Sequence, residues 1–213
     1  MITVWGEGRG FRVVWLLEEM GLAYRLRDVD LLKGAGNDPQ FMAINPGGFI
    51  PALQDGEDVI VESVAILQYL LGRFGPSPLA VEPADPAYGA WLQFLHLGEA
   101  GLMGPAFMAW AGRGFGPETA RDDWTGKMSL EMFQSRRRLV ARQLEQAPYM
   151  AGERFTAADI SVGYALLWAR RQGVTALTPP ELAYIDRITA RDGFRRAMAT
   201  CHAIGSWDPP SGG

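Results

Sequence analysis

Asn45–Ser63 reads NPGGFIPALQDGEDVIVES, and its punctuation is that of a turn, a strand, a tight turn and a second strand. Pro46, Gly47 and Gly48 break the chain, and Pro51 to Gln54 carries the first strand. Asp55-Gly56 is a hairpin signal, after which Val59 to Val61 returns as the second strand. Ser63 to about Arg73 then follows with helical spacing.

Working back toward the amino end, Val4-Trp5 closes a short strand and Arg12 to Met20 reads as a helix. Val13, Leu16, Leu17 and Met20 form one apolar stripe, and Phe11, Val14 and Trp15 form another, so this helix is expected to be covered on two sides. Gly21 stops it, and Tyr24 to Val29 alternates as a strand. A strand, a helix and a strand so joined place the two strands parallel. The order βαβ–ββα is the layout of a thioredoxin-like α/β domain, assigned to residues 1–77.

Between the first strand and helix stands GEGRG, Gly6–Gly10. Such a turn brings backbone amides close to an anion or a thiol. Gly6, Gly8 and Gly10, with Asp28 twenty residues after Gly8, imitate a dinucleotide-binding turn. The third glycine of that pattern would fall on Phe11 or Val13, and the βα alternation stops after one helix, so this reading is set aside.

Toward the carboxyl end, FGPSPLAVEPADP, residues 74–86, contains four prolines and reads as a linker, with 78–86 as the inter-domain segment. Beyond it only helical patterns appear: Ala87 to about Trp110, Pro117 to Gln146, Ala157 to Gln172, then shorter pieces to His202. Residues 87–213 are therefore read as an all-α domain, with WDPPSGG as an irregular tail. In FTAADI, Thr156 and Asp159 form a capping box, flanked by the apolar pair Phe155 and Ile160.

At 213 residues, 48% hydrophobic and 21% charged, the chain is long enough to bury a substantial core. A net charge of −4 argues against nucleic acid as a natural partner, and Arg136-Arg137-Arg138 reads as a solvated helix face. No cationic leader and no apolar run approaching ~18 residues is present, so a soluble, cytoplasmic protein with no membrane partner is expected. The single cysteine, Cys201, excludes an internal disulfide and a CxxC pair, and two histidines, His96 and His202, offer no metal-ligand spacing.

Four stretches in order and spacing, VVWLLEEMGLAYRLRDVDLL, NPGGFIPAL, ESVAILQYL and PYMAGERFTAADISVGYALLW, resemble the cytosolic glutathione transferases of bacterial type. The resemblance implies that architecture, a thioredoxin-like domain followed by a helical one, with glutathione as co-substrate and no metal. It implies a cis bond between Ile50 and Pro51, so that Phe49, Ile50 and Pro51 present backbone to the extended tripeptide as an added strand would. It implies that Glu62 and Ser63 receive the γ-glutamyl end, the carboxylate at a hydroxyl and a helix start, the amine at Glu62. Helix capping by Ser63 is the structural alternative and is compatible with that role.

Members of this family place a tyrosine, serine or cysteine near the first turn, and residues 5–12 contain none of these. In the serine pattern SRSFRVLW the hydroxyls would stand at Gly8 and Gly10. The amides of Gly10 and Phe11, with the Arg9 guanidinium, are the remaining candidates for holding the thiolate. Trp5, Phe11, Met103, Phe107 and Met108 are the candidates for an apolar electrophile pocket, the last three on a segment that Gly104-Pro105 is expected to bend.

The expected reaction is attack of glutathione thiolate on an apolar electrophile. Its rivals are a non-catalytic protein of the same fold that binds apolar ligands, and a thiol reductase. The reductase needs a cysteine in the turn, and Cys201 lies far along the chain. A homodimer is expected, with the helix bearing Leu67, Tyr69 and Leu70 and the first long helix of the second domain at its interface.

Overall fold

The computed structural model describes residues 1–31, 34, 38–120, 123–202, 205 and 207. The expected tail after Trp207 lies outside them. The chain forms two compact units, Met1–Ser77 with Ala190–Gly205, and Pro78–Thr189 with Trp207.

In the first unit β1 (Ile2–Trp5) is an inner strand. It runs parallel to β2 (Tyr24–Arg27), with Ile2 opposite Tyr24, and antiparallel to β3 (Ala52–Asp55), with Trp5 opposite Ala52. β3 pairs antiparallel with β4 (Asp58–Val61), giving the order β2-β1-β3-β4. α1 (Phe11–Met20) ends on left-handed Gly21, and α3 (Ser63–Arg73) follows β4. This is the expected thioredoxin-like arrangement.

The sequence reading passed over α2 (Pro39–Ile44), a helix of six residues. Asp38 caps it by accepting from the Phe41 amide at 3.0 Å, with Pro39 in the first turn. Phe41 packs with Trp5, Val29 and Ala52, and Ile44, Ile50 and Val61 complete that cluster. Val13, Val14, Leu16 and Leu17 of α1 and Ile66, Leu67 and Leu70 of α3 are fully buried as well.

The domain assignment needs one correction. α9 (Asp192–Thr200) belongs to the first unit rather than to the helical one. Its Phe194 sets its ring edge-on against Phe11, at 5.5 Å between centroids, and against Trp15, at 4.9 Å. Arg191 grips Glu19 through two bonds of 2.9 and 2.8 Å, and Arg196 bonds Glu18 at 2.8 Å. Packing of this helix against residues 170 positions earlier leaves no mark in local periodicity.

The second unit is helical. The expected single helix from Ala87 to Trp110 is three pieces: α4 (Tyr88–His96), a π-helical segment Leu97–Met103, and α5 (Gly104–Gly114) with Pro105 in its first turn. The Ser161 hydroxyl donates to the Leu95 carbonyl at 2.7 Å, and a β-carbon on Gly98 would stand 2.3 Å from that hydroxyl. A side chain inserted on a helix carbonyl in this way accounts for the widened turn.

α6 (Trp124–Leu144) is shorter than expected, because Asp123 caps it by accepting from the Gly126 amide at 2.7 Å. α7 (Ala157–Arg171) is buried continuously from Ala157 to Leu167. Asp159 closes the capping box onto the Thr156 amide at 2.8 Å, and also accepts from the Met150 amide at 2.8 Å and the Tyr184 hydroxyl at 3.1 Å. Burial pushes its carboxyl up to about 6 despite these bonds. Phe155 and Ile160 are buried on either side. α8 (Pro179–Thr189) completes the unit.

The second half of the proline-rich segment is anchored: Leu79 and Val81 are buried, and the Leu79 carbonyl accepts from the Ala157 amide at 2.9 Å. One further expectation is corrected here. Arg137 does not face solvent with its neighbours. It bonds Glu181 through Nε at 2.6 Å and through Nη2, and donates to Thr175 at 2.8 Å and to the Ala176 carbonyl at 2.9 Å. Its place between Phe133 and Val140 on the apolar stripe was the available signal.

Candidate functional site

The peptide bond between Ile50 and Pro51 is cis. The loop before it is organised by Asn45, a buried residue to which the sequence reading gave no role. Its side chain accepts from the Gly47 amide at 3.0 Å and donates to the Phe49 carbonyl at 2.6 Å, while its own carbonyl accepts from Gly48 at 3.0 Å. The β3 ladder begins only at Ala52, so Ile50 stands outside the sheet pairing. Phe49 is exposed, and Pro51 is buried.

The glycine-rich turn lies against this loop. A β-carbon on Gly6 (φ +84°) would stand 2.3 Å from Ile50 Cγ2, one on Gly8 (φ +58°) 3.6 Å from Ile50 Cδ1, and one on Gly10 3.3 Å from Pro51 Cβ. The glycines thus serve close approach of the turn to Ile50–Pro51. A hydroxyl-bearing side chain at Gly10 would have to start in that contact.

Gly8–Gly10 is one turn of 3₁₀ helix leading into α1. This redirects two of the expected thiolate donors. The Gly10 amide donates to the Glu7 carbonyl at 2.9 Å, and the Phe11 amide donates to the Gly8 and Arg9 carbonyls. Both are consumed by the turn itself. The Phe11 ring is fully buried between Trp15 and Phe194, and Trp5 is buried against Phe41 with the Arg27 guanidinium 4.8 Å over its ring. Both rings are committed to the core of the first unit, so the pocket role expected for them passes to neither. Arg9, half-buried at the centre of the turn, stays as the turn's candidate.

At the end of β4, Glu62 takes φ +70°, the only non-glycine among the described residues with positive φ. That conformation is costly for a residue with a β-carbon, and such outliers gather where a ligand is clamped. Glu62 is the cap of α3, exposed, and its carbonyl accepts the first helical bond from Ile66 at 2.9 Å. Glu62 makes no side-chain cap bond, and Ser63 is the first residue of the helix. The capping alternative is therefore not what its hydroxyl does. The Ser63 oxygen accepts from Arg12 Nη1 at 3.0 Å, in a buried bond across 51 positions of sequence. The sequence reading missed Arg12; its place within a helix apolar on two faces was the signal that its side chain must lie inside.

Cys201 is also brought to this unit, although the chain distance had been taken to separate it. The neighbouring His202 amide donates to the Glu7 carboxylate at 3.2 Å. Cys201 is buried, and burial with the charges of Glu7 and Glu18 pushes its thiol up to about 12, which leaves it unreactive.

In the second unit Met103 is buried and Met108 is open to solvent. Phe107 belongs to a cluster of rings with Trp110, Phe115 and Trp168, at centroid separations of 6.0, 6.3 and 6.0 Å. Phe115 is two-thirds exposed, so the cluster forms an open apolar surface on this unit. Among the described residues no three His, Cys, Asp or Glu side chains gather as a metal site, and no helix is long and apolar enough to cross a membrane.

The glutathione S-transferase N-terminal domain family matches residues 2–72. The chain is 31% identical to glutathione S-transferase 3 of Zea mays over 94% of this chain and 91% of that one. It is 32% identical to a maleylacetoacetate isomerase of Rhizobium meliloti, over 91% and 92% of the two chains. Among solved structures, a theta class glutathione S-transferase from Xanthomonas axonopodis with glutathione bound superposes with a TM-score of 0.79. That pair shares 27% identity over 92% of this chain and 96% of the other. The sheet order, the cis Ile50–Pro51 bond, the Glu62–Ser63 corner and the relatives that match end to end lead to one conclusion: the chain belongs to the glutathione S-transferase family.

Proposed function

We propose that the protein binds glutathione on the first unit and transfers it, as thiolate, to an apolar electrophile. The observation that carries this reading is the Glu62–Ser63 corner, where a strained exposed carboxylate precedes a hydroxyl at the start of an eleven-residue helix. A γ-glutamyl head offers an amine to Glu62 and a carboxylate to Ser63 and the helix dipole. Phe49, Ile50 and Pro51 supply the backbone edge for the rest of the tripeptide. Arg9 is the proposed stabiliser of the thiolate, and holding the thiolate in place is the source of the rate enhancement. Met108 and the open ring cluster around Phe107 favour an apolar second substrate.

The test is turnover with glutathione and a panel of chloronitroaromatic, epoxide and hydroperoxide substrates, alongside calorimetric titration of glutathione. Conjugation of any of the first two classes supports the reading. Binding of glutathione with no turnover on the whole panel favours the alternative, a binding protein of the same fold. One observation favours that alternative: the turn has no hydroxyl or thiol, and two of its amides are internally bonded.

We also propose that the protein is a cytoplasmic homodimer. Leu67 and Leu70, expected at its interface, are fully buried within the chain, so the exposed Phe49 and Val59 replace them as the first unit's candidates. Sedimentation at micromolar concentration distinguishes the dimer from a 23.4 kDa monomer.

A further inference from the structure

Ser63 has a neighbour that faces it from inside the fold, and we propose that this residue, Arg12, is a positioning residue for the carboxylate Ser63 receives. The inference rests on the glutathione reading of that corner. It goes further in dividing recognition of the amino-acid head between an exposed acid and a buried base.

Arg12 is the second residue of α1 and has no exposed surface. A guanidinium is expensive to take out of water unless polar or charged groups compensate it. Here one of its nitrogens, Nη1, ends on the Ser63 hydroxyl at 3.0 Å. A serine oxygen accepts through its lone pairs and has one proton to give. With the guanidinium on its acceptor side, that proton is turned away from Arg12. The hydroxyl is therefore oriented before a ligand arrives, and a cation stands behind it.

An anion accepting from this hydroxyl gains a polarised donor, the positive end of α3 and a fixed charge one bond removed. A neutral group in the same place gains little from the last two. The Arg12–Ser63 pair therefore selects for a carboxylate, and Glu62, one residue away and exposed, selects for the amine beside it. The ligand class is one with an unblocked α-amino-acid head group. Arg12 touches no ligand in this arrangement and acts only through Ser63.

The experiment compares two ligands on three proteins by calorimetry: glutathione, and the analogue with 4-aminobutyrate in place of the γ-glutamyl residue, which lacks only the carboxylate. The unaltered chain should prefer glutathione by about tenfold or more, the difference a hydrogen bond to a charged group makes. In Arg12→Met that preference should fall to within about threefold, chiefly through loss of affinity for glutathione. Arg12→Lys, which keeps the charge without the planar fork, should lie between. A residue that merely supported the fold would weaken both ligands by one factor and leave their ratio unchanged, and that result overturns the proposal. If Arg12→Met does not fold, the ratio in Arg12→Lys decides by the same criterion. Failure of the unaltered chain to bind glutathione would overturn the glutathione reading and this inference with it. Binding with an unchanged ratio would remove Arg12 alone.

Discussion

Each unit of this molecule buries an arginine on a helix, and the two are used differently. Arg137 meets a carboxylate of its own chain, Glu181, together with Thr175 and the Ala176 carbonyl. Arg12 meets a hydroxyl at the start of α3, and that hydroxyl still has a proton to give. The first arrangement ends inside the fold and ties α6 to the segment leading into α8. The second joins α1 to the start of α3, beside the strained Glu62. Burial of a cation does not by itself signal function; in the reading proposed above, a hydroxyl with a proton left to give sets the second case apart from the first.

The contrast breaks most readily at Arg137. Arg137→Met should cost about 3–5 kcal/mol in denaturant unfolding, because Glu181 is left buried without its cation. Glutathione affinity should stay unchanged, and a loss of affinity would show that the two arginines are not separable. Acid sharpens the same point. Burial alone would raise Glu181, but Arg137 and Thr178 overcome it and hold its carboxyl below the ordinary 4.5. A lowered folded pKa contributes stability that is present above that value and lost as pH falls through it. Asp159, raised to about 6, acts in the opposite sense, so the informative quantity is the difference between variants. In Arg137→Met the acid-side loss from Glu181 should disappear, and unfolding curves between neutral and acid pH measure it.

On the first unit the expected changes appear in binding as well. Ser63→Ala should weaken glutathione by more than ~1 kcal/mol, and it should also cost about 1–3 kcal/mol in unfolding, since the buried Arg12 guanidinium loses an acceptor. Glu62→Gly should reverse the usual sign. It should raise stability by about 1 kcal/mol by relieving the left-handed conformation, while lowering glutathione affinity. A variant that gained stability and kept full affinity would show that Glu62 binds nothing. Arg9→Ala should be the quietest in stability, at no more than about 0.5 kcal/mol. Its effect belongs in the pH–rate profile: turnover slowed at neutral pH and largely restored at higher pH, where hydroxide forms the thiolate unaided. An unchanged profile removes Arg9 from the mechanism.

Much of this was legible in the sequence. Hairpin chemistry at Asp55-Gly56, helical stripes in α1 and α3 and the box at Thr156–Asp159 are local patterns, and each was found in place. What escaped was non-local or contrary to composition. Arg12 and Arg137 are charged residues on apolar faces, and only the partners 51 and 44 positions away show why they can lie there. The π-helical turn depends on a serine from another helix, and α2 is too short to display a period. The turn glycines invited a reading in terms of ligand approach, whereas their neighbours are Ile50 and Pro51. Periodicity tells which face is covered and leaves open what covers it.

The docking of α9 on α1 has a consequence for how the chain is made. Met1–Ser77 leaves the ribosome before Arg191, Phe194 and Arg196, which give Glu19, Phe11, Trp15 and Glu18 their contacts with α9. At roughly 5–20 residues per second, the intervening stretch takes on the order of ten seconds to synthesise. Throughout that interval the nascent first unit carries two aromatic rings and two glutamates on one helix that have yet to meet α9. α4 to α8 of the helical unit are synthesised before the sheet unit receives α9. The unit whose strands are made early therefore waits for α9, and the α1 face that α9 covers stays open until that helix is released.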